Sequence, residues 1–254
     1  MLRLVGLGLV PDHLTQGALK ALRSSDLVYM DYYTSLSCSW SPSLLSQITG
    51  KRVEPADREL LERGYRKILN EAAGRVVSLA CIGDPMISTT HVSLVIEAKR
   101  AGIEAYVIPG VSVHCYLVSK SMLSSYKFGR SVTITFKKGE KVDPTPYQVI
   151  RENRRLGLHT VIYLDLSEGN PMDAKEAVRL LLEMEAEIGE GVVKPNDEIL
   201  VGARLGCEDE KVEWIDIRSI GSSALPPPPH IIIFPGRLNF VEVEAKKCLT
   251  SRIG

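Results

Sequence analysis

Three short apolar runs in the first half of the chain each end in a glycine-bearing turn, and this pattern constrains the fold more than any other feature. Leu2, Leu4 and Val5 run into Gly6-Leu7-Gly8, Val76 to Ala80 into Gly83-Asp84-Pro85, and Ala105 to Ile108 into Pro109-Gly110. Helical patterns separate them. Thr15 is a natural N-cap, with Leu14, Ala18, Leu19 and Leu22 at helical spacing behind it. A second helix starts near Thr90, carries Val92, Val95 and Ile96 on one face, and has Gly102 where a C′ residue belongs. Alternating strands and helices joined by short connections predict an α/β domain, a mostly parallel sheet with helices on both faces.

The texture changes after about residue 115. Ser131 to Phe136 alternates apolar and hydroxyl side chains, the period of a half-buried strand. Thr160 to Leu164, Ile199 to Ala203, Val212 to Ile217 and Ile231 to Phe234 also read as strands. Asp173-Ala-Lys-Glu176 resembles a capping box before a stripe of Ala177, Leu180, Leu181 and Met184. Several strands with few helices between them predict an α+β domain with a mixed sheet. The expected division is an N-terminal domain over 1–112 and a C-terminal domain over 113–254. Pro226 to Pro229 favours an extended, rigid segment.

Composition narrows the function classes. Lys plus Arg and Asp plus Glu both number 31 among the 254 residues, so the net charge is zero. That argues against a nucleic-acid or anionic-membrane partner. No stretch approaches ~18 uninterrupted apolar residues and no leader pattern opens the chain, so a cytoplasmic protein is expected. Cys38, Cys81, Cys115, Cys207 and Cys248 are scattered and odd in number, as expected of reduced thiols. His13, His91, His114, His159 and His230 have no metal-ligand spacing, so no metal site is expected; His91 and His159 read as helix-end or strand-end structural residues. There is no nucleophile elbow. The mixed charges from Lys51 to Arg66 read as a solvated helical face.

Each glycine turn is weak evidence alone. Gly6 to Asp12 lacks the third glycine of the dinucleotide fingerprint and is as readily a plain tight turn. Asp84, at the carboxyl end of a parallel strand, is placed to accept hydrogen bonds from a ribose or an amino group, yet a carboxylate before proline is also an ordinary turn former. Ser112 of Pro109-Gly110-Val111-Ser112 adds a hydroxyl to the same region.

Order and spacing together resemble the methyltransferases of the tetrapyrrole methylase fold, the class III methyltransferases that use S-adenosylmethionine (SAM). Their G-x-G-x-x-D turn, G-D-P turn and P-G-[VI]-S segment have counterparts in Gly6 to Asp12, Gly83-Asp84-Pro85 and Pro109 to Ser112, with Leu9-Val10 where Pro-Gly is common. Tyr33-Thr34-Ser35, Thr89-Thr90-His91, Ala98 to Gly102, Tyr126 to Gly129, Gly157 to Thr160, Pro228-Pro229-His230 and Pro235-Gly236 resemble one branch of that family. Its members methylate the amino group of a 3-amino-3-carboxypropyl-histidine on translation elongation factor 2.

The resemblance implies a two-domain fold with SAM in the cleft between the domains. It implies cofactor contacts at Leu9, Asp84, Ile87, Ser112, Val113, Leu164, Leu205 and His230, a homodimer, and an archaeal type of enzyme that adds three methyl groups. It designates no catalytic side chain. Two other readings compete: the same fold acting on a precorrin-type tetrapyrrole or a ribosomal RNA, and a non-catalytic adenine-nucleotide-binding module.

Overall fold

The computed structural model describes residues 1–250 except 138, 140 and 168. The chain forms two compact units, Met1–Val113 and His114–Gly254. The first contains β1 (Leu2–Gly6), α1 (Gln16–Arg23), β2 (Leu27–Asp31), α2 (Pro42–Thr49), β3 (Val53–Ala56), α3 (Arg58–Glu62), α4 (Tyr65–Gly74), β4 (Val77–Cys81), α5 (Val92–Arg100) and β5 (Ala105–Ile108). Its five strands lie in the order β3-β2-β4-β1-β5, and every pairing is parallel.

The two central strands are covered on both faces, which is why they read as unbroken apolar runs. Leu2, Leu4 and Leu79 pack with Ile68 of α4 and with Leu94 and Ala98 of α5. Val5 and Ala80 face the other way, onto Ala18 and Leu22 of α1 and Leu45 of α2. The Thr15 hydroxyl accepts from Ala18 N at 3.1 Å, so α1 starts at its expected cap.

Three sequence expectations shift here. On α5 the buried side chains are Leu94 and Ala98, whereas Val92 and Ile96 are 49% and 44% exposed, because the apolar stripe is centred one residue away from them. Lys51 to Arg66 is not a single helical face, since β3 and α3 lie within it. β3 escaped the pattern because Pro55 interrupts it, and proline fits an edge strand. Cys81, Cys115 and Cys248 are free, but Cys38 and Cys207 are disulfide-bonded. Scatter along the sequence does not exclude a disulfide.

The second unit carries α6 (Val113–Ser121), β6 (Val132–Ile134), α7 (Thr145–Arg155), β7 (Thr160–Leu164), β8 (Leu166–Ser167), β9 (Asn170–Pro171), α8 (Ala174–Ile188), β10 (Glu198–Ala203), β11 (Lys211–Asp216), β12 (His230–Phe234) and α9 (Phe240–Thr250). Its main sheet runs β11-β10-β12-β7-β6; only β6 and β7 pair in parallel, so the sheet is mixed as expected. Asp173 caps α8 by accepting from Glu176 N at 2.8 Å. Ala177, Leu180, Leu181 and Met184 then pack against Ile134, Ile162, Val201 and Ile232 of the sheet. Among the described residues no helix is long and apolar enough to cross a membrane.

Candidate functional site

The glycine turns meet at the carboxyl end of the first sheet. β1 and β4 are neighbours, but the chain leaves β1 toward β2 on one side and leaves β4 toward β5 on the other. Open α/β sheets bind ligands outside the strand ends at such a switch point. A Cβ added to Gly6 would lie 2.5 Å from Gly110 N, and one on Gly110 would lie 2.2 Å from Gly83 O. Only glycine permits this approach of three strand ends. Gly8 and Gly83 also exchange backbone hydrogen bonds, with Gly8 N donating to Gly83 O at 3.1 Å and Gly83 N to Gly8 O at 2.9 Å. Gly83 adopts φ +77°, the left-handed region that glycine enters without steric cost.

Asp84 joins two of the turns. Its Oδ1 accepts from Met86 N at 2.8 Å and its Oδ2 from Gly110 N at 3.0 Å. The turn-forming role is therefore present, and each oxygen keeps a further lone pair. Leu9 is buried beside Gly8, with its carbonyl accepting from Ser37 Oγ at 3.0 Å and its side chain near Gly83. Ser112 is buried and its Cα lies close to the position a Gly83 Cβ would take. Ile87 is 41% exposed, Met86 beside it is also exposed, and Val113 is the first residue of α6. Sequence reasoning missed Trp40, which is buried and donates from Nε1 to Gly8 O at 3.2 Å, because nothing local links it to that turn.

Within the second unit Leu164, Leu205 and His230 gather at one end of the sheet. Leu164 ends β7, His230 begins the antiparallel β12, and Leu205 lies two residues past Ala203, the partner of His230. Arg204 N donates to Pro229 O at 2.9 Å and closes that corner. Both ring nitrogens of His230 are engaged: Nδ1 accepts from Ala174 N at 3.0 Å, so Nε2 carries the proton and donates to Pro226 O at 2.7 Å. Burial pushes the His230 imidazole down, more than the neighbouring Pro226 carbonyl and Asp173 push it up. A neutral ring that caps α8 follows from both observations.

Among the described residues one group of His, Cys and carboxylate ligand atoms lies close together: Asp31, Cys81 and His91. The carboxylate faces His91 Nε2 at 3.1 Å and the Cys81 sulfur faces Nδ1 at 3.7 Å. The carboxylate and the sulfur thus face different nitrogens of the imidazole ring.

A glycine-lined switch point with exposed apolar side chains and one half-buried carboxylate is the kind of site at which an open α/β sheet binds a ligand. The family comparisons agree. Residues 1–220 match the family described as Tetrapyrrole (Corrin/Porphyrin) Methylases, and the chain belongs to it.

Within that family it falls among the diphthine synthases. The diphthine synthase of Metallosphaera sedula is 50% identical over 248 residues, covering 97% of this chain and 98% of the relative. That of Saccharolobus solfataricus is 47% identical, covering 97% of each. A crystal structure of diphthine synthase superposes with a TM-score of 0.88 at 30% identity, over 98% of this chain and 95% of the other. One from Entamoeba histolytica, provisionally given the same name, has a TM-score of 0.89 at 27% identity over 99% of both chains.

Proposed function

We propose that the protein is a SAM-dependent N-methyltransferase of the cytoplasm, acting as a homodimer. Its substrate is the amino group of 3-amino-3-carboxypropyl-histidine on translation elongation factor 2, which it converts to the trimethylammonium form. The observation that carries this reading is identity of about half to diphthine synthases along nearly the whole chain, in a fold that matches theirs.

The residues at the glycine turns fit the cofactor. SAM needs backbone donors and acceptors for its amino-acid end, an acceptor for a hydroxyl or amino group, and apolar surface for its ring. The turns offer the Asp84 carboxylate, with a lone pair to spare on each oxygen, and the exposed side chains of Met86 and Ile87. Leu9, Asp84, Ile87, Ser112 and Val113 hold the cofactor in this reading, with Leu164, Leu205 and His230 as further contacts. His230 contributes through its backbone, because both ring nitrogens are occupied.

When bound, SAM supplies a methyl group already activated by a sulfonium. The chain then has three tasks: to fix the methyl, to keep water away, and to line up the substrate nitrogen behind the carbon. Orientation of this kind is worth ~7–11 kcal/mol. Rigid glycine turns serve the first task, and the apolar rim of Leu9, Met86 and Ile87 serves the second. The amine attacks only as its neutral form, so one proton leaves the substrate nitrogen before each transfer.

The test is mass spectrometry of archaeal elongation factor 2 bearing the aminocarboxypropyl-histidine, incubated with the protein and SAM. Stepwise addition of three methyl masses on that residue is expected. No gain by a protein that binds SAM would transfer the reading to a tetrapyrrole or RNA substrate.

A further inference from the structure

We propose that Asp31 and His91 form a positioning device for the cofactor turn: a buried imidazolium, held by the Asp31 carboxylate, grips the Pro85 carbonyl and so fixes how the turn presents Asp84 and Ile87. The inference rests on the SAM reading for its functional consequence, but its geometry lies wholly within the first unit.

Asp31 ends β2 and is 1% exposed; His91 precedes α5 and is 6% exposed. Asp31 Oδ1 accepts from Tyr33 N and Thr34 N, each at 3.0 Å, and Oδ2 accepts from the Thr34 hydroxyl. Burial pushes this carboxyl up, but the hydrogen bonds from His91, Thr34 and Tyr33 outweigh it and hold the group below the ordinary carboxylate range. Asp31 is therefore an anion with acceptors only. It faces His91 Nε2 at 3.1 Å, while His91 Nδ1 faces Pro85 O at 3.1 Å. A carboxylate and a carbonyl both accept. Only a ring protonated on both nitrogens donates to each.

The other titratable groups near the ring leave this assignment intact. Cys81, from the end of β4, lies 3.7 Å from Nδ1, and its thiol is pushed well above its ordinary range by burial and by the charges of Asp31 and Asp84. It stays neutral.

The grip closes a small ring of chain. Pro85 O also accepts from Thr89 Oγ1 at 2.8 Å, and Thr89 Oγ1 accepts from His91 N at 3.1 Å. Inside that ring Ser88 has φ +57°, a left-handed conformation that a non-glycine residue keeps only where its surroundings over-determine it. Ile87, Met86 and Asp84 are thus mounted on a segment braced at Pro85 and His91. Losing one proton from the ring leaves either a lone pair facing the carboxylate or Pro85 O without its imidazole donor.

Calorimetric titration of the full-length protein with SAM tests this. For His91→Gln, which cannot donate to both oxygens while carrying charge, the Kd is expected to rise about 10- to 100-fold. Asp31→Asn separates positioning from a merely structural role. Its amide donates to a neutral His91 at Nε2, leaving Nδ1–H on Pro85 O, so binding persists. Unchanged affinity in His91→Gln, or a loss in Asp31→Asn as large as in His91→Gln, overturns the proposal.

Two measurements on the SAM-free protein decide the brace itself. Nitrogen NMR is expected to show both His91 ring nitrogens protonated, and the Met86 and Ile87 amides are expected to exchange faster in His91→Gln. A singly protonated ring or unchanged exchange overturns the proposal, whether or not wild type binds SAM. A wild type that binds no SAM defeats the cofactor reading separately.

Discussion

Gly110 has no room for a methyl group: its added Cβ would sit 2.2 Å from Gly83 O and 2.9 Å from Gly6 Cα, all backbone and unable to step aside. The expected result for Gly110→Ala is a loss of stability of about 3 kcal/mol or more, since overpacking against fixed atoms forces strand ends apart. A fall in the thermal midpoint and in SAM affinity would be seen together. Gly74→Ala is the control, because nothing lies within 4 Å of the site of its Cβ. The sequence marks Gly6, Gly83 and Gly110 as turn residues. Their mutual contact was not legible, because it joins positions far apart in the chain through strand pairing. Asp84 illustrates the same limit. Its carboxylate was visible as a turn former or a ligand, but its bond to Gly110 N, 26 residues away, needs the folded sheet.

At the scale of elements, α9 depends on one carboxylate. Glu242 is fully buried and accepts from Asn239 N at 2.9 Å, Ser124 N at 3.1 Å, His159 Nε2 at 3.0 Å and the Lys127 ammonium. His159 is a neutral imidazole. Gly236 N donates to its Nδ1 at 3.1 Å, so its single proton lies on Nε2, and burial pushes its imidazole down. Burial pushes the Glu242 carboxyl up, yet the four donors outweigh it and bring it to about 2 from 4.5. A depressed carboxyl stabilises the fold fully above its unfolded value and loses that contribution as pH falls through its folded one. Acid unfolding followed by circular dichroism is therefore expected to steepen between those two values, and Glu242→Gln to flatten it. Glu242→Ala, which strands Lys127 and His159, is expected to cost about 3–5 kcal/mol in chemical denaturation.

Elements with a strong local signature were legible: α8 from its capping box, β7 and β12 from their apolar runs. β2 and β3 were not. Leu27 to Asp31 mixes Tyr and Asp into its run, and Val53 to Ala56 contains Glu and Pro, so each is a strand only because a neighbour pairs with it.

For the whole molecule the expectation concerns ligand choice. A ligand that binds only the native state adds RT ln(1 + [L]/Kd), about 2.7 kcal/mol at a hundredfold excess over Kd. SAM or its demethylated product is expected to raise the thermal midpoint clearly, with ATP giving little. A larger shift with ATP would favour a plain adenine-nucleotide module over a methyltransferase. The two-part architecture was legible because hydrophobic periodicity and connection length change character along the chain. Which residues gather at each strand end follows from strand order, and that order is set by packing rather than by any local motif.

The hydrogen bond from Trp40 to Gly8 gives the protein an optical readout of its own. There are two tryptophans in the chain, one in each unit. Trp40 is bonded to the first glycine turn. Trp214 is also buried, but among the described residues its indole N–H has no hydrogen-bond partner, and its ring lies 5.0 Å from the Lys246 ammonium. The two indoles therefore emit from different surroundings. With Trp214 replaced by Phe, the remaining emission would report movement at the Gly8 turn in real time, so cofactor arrival can be timed in a stopped-flow instrument without attaching a dye.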